Sequence, residues 1–338
     1  MNKKILIIGA GAVGGIIAVL LTTKGFAPHV VVKYPDLKLK AKTEGFEISG
    51  FHGNIKQKVN AFLPSDLLGE KYDIVLIATK ANDLCSAAKM CLPHLNEDSL
   101  VVSMQNGICE DELAAIVGKE RTIGCVTGWG ATMLEPGKFD MTSGGEITIG
   151  NINGESNERL HDLKEIFDSI LPTTISDNIY GALYSKLIIN SCITTLGAIC
   201  GIPHKEMLMN SKIRDVFLKI VREAILVSDA MGIQVEPYAG KLNYYTFLKS
   251  DSFIASFKRH LTVRIIGLKY RKLKSSSLQS IERGRPTEID WFNGYIVAKA
   301  KKYGIHVPVN IALVEMIKEI EQGKRKIDSE NLTGTFFC

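Results

Sequence analysis

The sequence predicts an α/β protein whose first half is a doubly wound parallel sheet and whose second half is all α-helical. Three observations lead there. The apolar run Ile5-Leu6-Ile7-Ile8 enters a glycine-rich turn and then an apolar helix. Further apolar runs alternate with helical segments, and from about Asn178 onward long helical periodicity takes over. At 338 residues the chain is too long for one typical core. It fits two domains, 1–175 and 176–338, with the junction near Asp168 to Asn178, where Leu171-Pro172-Thr173-Thr174 breaks the pattern.

The first element is the most specific. Gly9-Ala10-Gly11-Ala12-Val13-Gly14 is a G-x-G-x-x-G between a strand and a helix, the context that makes the pattern a dinucleotide-binding fingerprint of the Rossmann type. Gly9 permits the sharp turn. Gly11 lets backbone approach a pyrophosphate, and Gly14 lets the helix pack close to the strand. The pyrophosphate would rest on the positive end of that helix. The next strand, His29 to Lys33, ends about 20 residues later, where NAD-selective folds place an acid. Here the residue is Lys33, a cation suited to the 2′-phosphate of NADP. A solvated strand-end lysine satisfies the same spacing, and Asp36 keeps NAD open.

Lys71 to Ala78, Ser99 to Met104, Thr122 to Val126 and Glu146 to Gly150 read as later strands. The loops Ala78-Thr79-Lys80-Ala81-Asn82 and Met104-Gln105-Asn106-Gly107 follow two of them, at the strand ends where such sheets bind ligands. In the second half Ile179 to Ile199, Ser211 to Met231, Pro286 to Tyr303 and Asn310 to Gln322 read as helices, with Gly304 and Gly323 as C-cap signals.

Hydrophobic residues at 46% and charged residues at 23% are ordinary for a globular protein. No apolar run reads as a bilayer span, and Ile5 to Ile8 is too short for a signal-peptide core. The seven cysteines show no C-x-x-C and no zinc spacing; reduced thiols and a cytoplasmic location are expected, without a metal. Cys338 is terminal and so is not a prenylation box. The net charge of +5 is concentrated in Lys258-Arg259-His260, Arg264, Lys269, Arg271-Lys272 and Lys274. No nucleic-acid motif accompanies this stretch, so a solvated helix face or a field attracting anionic ligands is expected.

Lys186 and Asn190 are spaced i,i+4 among apolar neighbours. A lysine in an apolar cleft has a lowered pKa and can protonate the alkoxide formed by hydride attack on a carbonyl. Spacing alone fits a snorkelling lysine better. Thr287 with Asp290 resembles a capping box, which would make Glu288 an ordinary first-turn acid.

The segments GAGAVG, ATKAND, QNGI, EPGKF…GGEITIG, YSKLIINSCIT and SSSLQSIERGRPTEIDWFNGYIVAKAKKYGI together resemble the ketopantoate reductase family over nearly the whole chain. R-P-T-E-I-D-x-x-N-G-Y and the K-x-x-x-N helix are far more specific than the glycine turn. The resemblance implies NADPH-dependent reduction of 2-dehydropantoate to pantoate, used for coenzyme A, at a cleft between the two domains. It makes Lys186 the proton donor and Asn190 its substrate-binding partner. Glu288 becomes the carboxylate beside lysine and cofactor, and Ser276 the grip on the substrate carboxylate. Lys80, Asn106 and the backbone of Ala131 become cofactor contacts, and Lys33 matches a basic residue for the 2′-phosphate.

Three positions depart from the family pattern: Thr194 and His204 stand where substrate-facing asparagines are usual, and Ser280 replaces an acid. Changed polar contacts retune substrate choice. The excess length near Tyr238 to Lys274 is expected to form extra helices that line the cleft or a subunit contact. The expected ligand is a small 2-oxoacid, with no nucleic acid or membrane partner and a homodimer permitted. Rival readings are a reductase of another 2-oxoacid and a non-catalytic NADP-sensing regulator. Retention of Lys186 and Glu288 argues against the regulator.

Overall fold

The computed structural model describes residues 3–250, 252–269 and 275–333 and divides into two units, Met1–Leu183 and Tyr184–Cys338. The first unit is built on β1 (Ile5–Ile8), α1 (Ala12–Thr23), β2 (His29–Val31), α2 (Pro35–Thr43), β3 (Phe46–Gly50), β4 (Ile55–Gln57), β5 (Asn60–Phe62), β6 (Tyr72–Ile77) and α3 (Leu84–Cys91). It continues with β7 (Leu95–Ser103), α4 (Glu110–Val117), β8 (Thr122–Thr127), β9 (Gly130–Glu135), β10 (Lys138–Ser143), β11 (Ile147–Asn151), α5 (Glu158–Asp168) and β12 (Thr173–Ile175).

Eight of these strands form one sheet in the order β12-β11-β8-β7-β6-β1-β2-β5. β1 lies between β6 and β2 in parallel register, Ile5 opposite Ile74 and Leu6 opposite His29. Strands β1, β6 and the second half of β7 are almost wholly buried, as expected of a parallel sheet covered on both faces. β11 pairs antiparallel with β8 and parallel with β12, so these last two strands run against the rest of the sheet.

A second sheet, β4-β3-β10-β9, was not expected from sequence. It packs against α1, and the fit depends on Gly15: a Cβ there would stand 2.1 Å from the Phe139 ring of β10. Gly9 has φ +105°, and a Cβ on Gly14 would stand 2.0 Å from the Gly9 carbonyl oxygen. Both roles expected of these glycines, turn and close approach, are therefore present.

The buried carboxyl of Glu110, at the start of α4, accepts the Cys109 backbone N–H at 2.8 Å. Burial pushes its pKa up to about 8, against hydrogen bonds that act the other way.

The second unit contains most of α6 (Ile179–Cys200), then α7 (His204–Met209), α8 (Ser211–Ala230), α9 (Tyr244–Leu248), α10 (Phe253–Lys269), α11 (Ser276–Glu282), α12 (Asn293–Tyr303) and α13 (Pro308–Glu321). The division falls inside α6 because its first turn packs on the sheet. Cβ atoms at Gly124 and Gly150 would stand 2.7 and 2.8 Å from Ile179. Contrary to expectation, α6 is long and apolar enough to cross a membrane, but 83% of its apolar window is buried in the fold.

Two other expectations are corrected. The helix read from Pro286 begins at Asn293, because Ile289–Trp291 form a 3-10 turn of their own and Phe292, with φ −107° and ψ −101°, separates the two. Thr287 caps only that turn, its hydroxyl accepting the Ile289 N–H at 3.2 Å. The basic stretch is only in part a solvated face: Lys258 and Arg264 are exposed, but Arg259 is buried and donates to the Ser250 carbonyl, and exposed apolar side chains share the outward side of α10. The Lys269 side chain and Arg271, Lys272, Lys274 and Cys338 lie outside the described residues.

A buried polar chain joins four helices of this unit. The Thr195 hydroxyl donates to Asn293 Oδ1 at 2.6 Å, and Asn293 Nδ2 donates to the Ser191 carbonyl and to Asn310 Oδ1. Asn310 Nδ2 donates to Glu223, whose carboxylate also accepts the Val309 and Asn310 backbone N–H groups, each at 2.9 Å, capping α13.

Asn293→Ala is expected to cost roughly 2–4 kcal/mol, because it strands buried partners on α6 and α13; urea unfolding measures it. Glu110 keeps its proton in the fold and loses it near pH 4.5 when unfolded. Its stabilising contribution is therefore full below pH 4.5 and lost as pH rises through about 8. The unfolding free energy of Glu110→Gln relative to wild type, read from urea titrations at each pH, is expected to climb between pH 5 and pH 8 by on the order of 4 kcal/mol at most.

Candidate active site

In the first unit the glycine turn, Lys33, Lys80 and Asn106 follow β1, β2, β6 and β7, four neighbours in the sheet, at their carboxyl ends. The sequence folds this way because each apolar strand ends where polar or glycine residues begin. Lys33 is exposed, its ammonium 5.8 Å from the Tyr34 ring centroid. Asp36, the residue that kept NAD open, lies in the first turn of α2 after Pro35, where an acid favours the helix dipole. Lys80 is exposed at the start of a 3-10 turn, and Asn106 is half-buried. Gln105 ties the two loops together, its Nε2 donating to Thr79 Oγ1 at 3.5 Å while its Oε1 accepts from Ser103 at 2.8 Å. Ala131 is half-buried on β9, the strand of the second sheet that packs against α1.

These residues fit a dinucleotide. Gly11 precedes α1 as its N-cap, with no side-chain cap and no acid in the first turn, leaving the N-terminal dipole available to an anion. A Cβ on Gly11 would meet nothing within 4 Å, so the turn faces open space where a pyrophosphate could approach backbone. Six cysteines are free, and no group of metal-ligating side chains occurs among the described residues.

In the second unit, Lys186 and Asn190 are half-exposed on α6, whose other residues in this stretch are buried. The i,i+4 spacing therefore places both on the stripe that the helix leaves open. Thr194 continues it one turn on, but is buried; its neighbour Thr195, not Thr194, bonds Asn293. Glu288 is buried at the head of the 3-10 turn. That turn is pinned to the end of α13, where the Thr287 N–H donates to Glu321 Oε1 at 2.7 Å.

His204 begins α7 and is buried, with neither ring nitrogen in hydrogen-bonding geometry to a described partner. Burial lowers its pKa, against a weaker opposing effect of the Ile193 backbone, so the imidazole is neutral at pH 7. Gly197 makes room for it: a Cβ there would stand 3.2 Å from His204 Nε2 and 2.9 Å from the Ser275 Cβ. Ser276 is exposed at the first position of α11. Ser275 is the buried cap of that helix, its Oγ accepting the Leu278 N–H at 3.0 Å.

Sequence reasoning missed Glu110, Gln105, Ser275 and Asn293. Gln105, Ser275 and Asn293 lie in motifs already singled out (Q-N-G-I, S-S-S-L-Q and N-G-Y), so only their burial was hidden, whereas Glu110 lies beyond Q-N-G-I and carried no signal.

The family model described as ketopantoate reductase PanE/ApbA matches residues 5–154, and its C-terminal counterpart matches residues 178–321. A 2-dehydropantoate 2-reductase of Pyrococcus abyssi is 29% identical over 327 residues, covering 95% of this chain and 100% of that protein. The crystal structure of a PanE/ApbA family ketopantoate reductase from Ralstonia eutropha JMP134 superposes with a TM-score of 0.80 at 27% identity, covering 96% and 100% of the two chains. D-mandelate dehydrogenase, solved with NADH and anilino(oxo)acetate, shares the fold with a TM-score of 0.79 at 22% identity, over 95% and 99% of the chains. With the dinucleotide turn, the lysine–asparagine stripe and both family models found on one polypeptide, the chain belongs to the ketopantoate reductase family of oxidoreductases.

Proposed function

We propose that the protein reduces 2-dehydropantoate to (R)-pantoate with NADPH, supplying pantothenate for coenzyme A. The observation that carries this reading is the open stripe on α6, where Lys186 and Asn190 are partly exposed, one turn apart, between buried neighbours. Bound NADPH supplies the hydride to the keto carbon. The first unit holds that dinucleotide: the Gly9 to Gly14 turn and the α1 N-terminus take the pyrophosphate, and Lys33 takes the 2′-phosphate. Lys80, Asn106 and Ala131 complete the binding surface.

Lys186 gives its proton to the carbonyl oxygen as charge develops there, and Asn190 fixes the substrate by hydrogen bonding. Ser276, at the start of α11, donates its hydroxyl hydrogen to the substrate carboxylate. Glu288, held by the Thr287–Glu321 contact, orients the Lys186 ammonium.

A second reading is favoured by Thr194 and His204: the same chemistry on a different 2-oxoacid. A buried threonine and a neutral, buried imidazole present fewer and differently placed polar groups than two asparagines. A panel of 2-oxoacids that includes ketopantoate and a phenyl-substituted member separates the two readings, with NADPH oxidation as the signal. Preferred turnover of ketopantoate supports the first.

Lys186→Ala is expected to lower kcat about 10²- to 10⁴-fold with NADPH binding retained, measured by steady-state turnover and fluorescence titration. Near-normal turnover would remove Lys186 as proton donor. Ser276→Ala should act mainly on KM. Lys33→Ala is expected to weaken NADPH binding roughly tenfold or more while leaving NADH unchanged; an equal effect on both would assign Lys33 to the solvated surface.

A further inference from the structure

The Glu110 carboxyl takes no part in hydride or proton transfer, yet the fold keeps it only 1% exposed at the start of α4. Its Oε2 accepts the Cys109 backbone N–H at 2.8 Å, while Oε1 is enclosed with no hydrogen-bond partner among the described residues. Enclosing a carboxyl with one oxygen unpaired is costly, so its surroundings bear on what it does. From β8 comes Gly124, where a Cβ would stand 3.6 Å from Glu110 Cγ. From β7 comes the Ser103 hydroxyl, close enough to favour the ionised carboxyl. Asp111, next on α4, disfavours that form, and Tyr180 of α6 donates its hydroxyl to Asp111 at 2.6 Å. α3 meets α4 at Glu112, whose Oε2 accepts from Cys85 Sγ at 3.8 Å.

The Ser103 hydroxyl has one hydrogen and two acceptors within reach. It gives that hydrogen to Gln105 Oε1 at 2.8 Å. Gln105, so held, turns Nε2 to Thr79 Oγ1 at 3.5 Å and ties the loop after β7 to the loop after β6. A protonated Glu110 makes no demand on the hydrogen. An ionised Glu110 is a buried anion with the Ser103 hydroxyl beside it. A hydrogen bond to a carboxylate is roughly twice as strong as one to a neutral amide oxygen, so ionisation draws the hydrogen away from Gln105. The tie between the loops then loses its anchor.

We propose that Glu110 is a positioning residue for the dinucleotide, deciding through the Ser103 hydroxyl whether Gln105 holds the loops after β6 and β7 together. It acts through two other side chains, and its role rests on Lys80 and Asn106, carried by those loops, being cofactor contacts. Burial keeps the proton on Glu110 up to about pH 8. The tie is therefore intact at neutrality and is lost as pH rises through that value. Dinucleotide affinity falls on the alkaline side, and by reciprocity dinucleotide binding draws a proton onto Glu110.

Fluorescence titration of the full chain with NADPH, from pH 7.5 to pH 9.5 at fixed ionic strength, tests the proposal. The 2′-phosphate, with a second pKa of about 6, is ionised throughout that range and adds no slope. The wild-type Kd is expected to rise about tenfold. Glu110→Gln cannot ionise, so its Kd should not depend on pH. Ser103→Ala has no hydrogen to move, so its Kd should start about tenfold above wild type at pH 7.5 and stay flat. Calorimetry of wild type at pH 8, in buffers of different ionisation enthalpy, needs no variant to fold and should count an uptake of about 0.4 proton per NADPH. A Glu110→Gln profile as steep as that of wild type would overturn the proposal, as would a flat wild-type profile without proton uptake. Asn106→Ala separates this from the cofactor assignment beneath it. If that substitution leaves NADPH binding unchanged, the assignment falls and the role of Glu110 with it. If it weakens binding while Glu110→Gln keeps the wild-type slope, the role of Glu110 alone falls.

Discussion

The helical unit depends on one buried amide. Asn293 is fully enclosed, and it connects α6, through Thr195 and the Ser191 carbonyl, to α13 through Asn310. Asn310 passes the connection to Glu223 on α8, which also caps α13. An apolar core would hold these helices together with comparable strength, but not at one rotation about their axes. A partly satisfied network is worse than none, so each bond in the chain demands the others. The rotation of α6 decides whether Lys186 and Asn190 face outward, and Asn293 is the group that sets it.

How much could be read from the sequence follows from the range of each interaction. The glycine turn, the parallel strands and the open stripe on α6 are local patterns, and residues 5–31 and 179–200 declare them by periodicity and spacing. The β4-β3-β10-β9 sheet is not local. Its register sets Lys138 opposite Glu47, a pairing across most of the unit, and Ile55–Gln57 and Gly130–Glu135 are too short or too polar to announce a strand. The start of α12 was misplaced for a related reason. Pro286 and Thr287 are good opening residues for a helix, yet the contact from Thr287 to Glu321, 34 positions away, holds them in a separate turn. Burial was the other hidden quantity: Glu110 and His204 look like ordinary polar residues until the fold surrounds them.

The basic segment shows how composition can mislead. Lysines and arginines suggested a wetted face; in α10 Lys258 and Arg264 are exposed as expected, but Arg259 turns inward to the Ser250 carbonyl. Other outward positions went to phenylalanine, leucine and isoleucine. Counting charges along a segment does not reveal which side of a helix carries them; the three-to-four-residue spacing of the apolar positions does.

The Phe139 ring seated on Gly15 has a thermodynamic consequence for ligand capture. It wedges the second sheet against α1 one turn from the amide groups that would meet a pyrophosphate, so the orientation of those dipoles is fixed when the chain folds. Little conformational entropy is then left to lose when an anion arrives. A side chain at position 15 could be accommodated only by a smaller group at 139, and the two positions would have to change together.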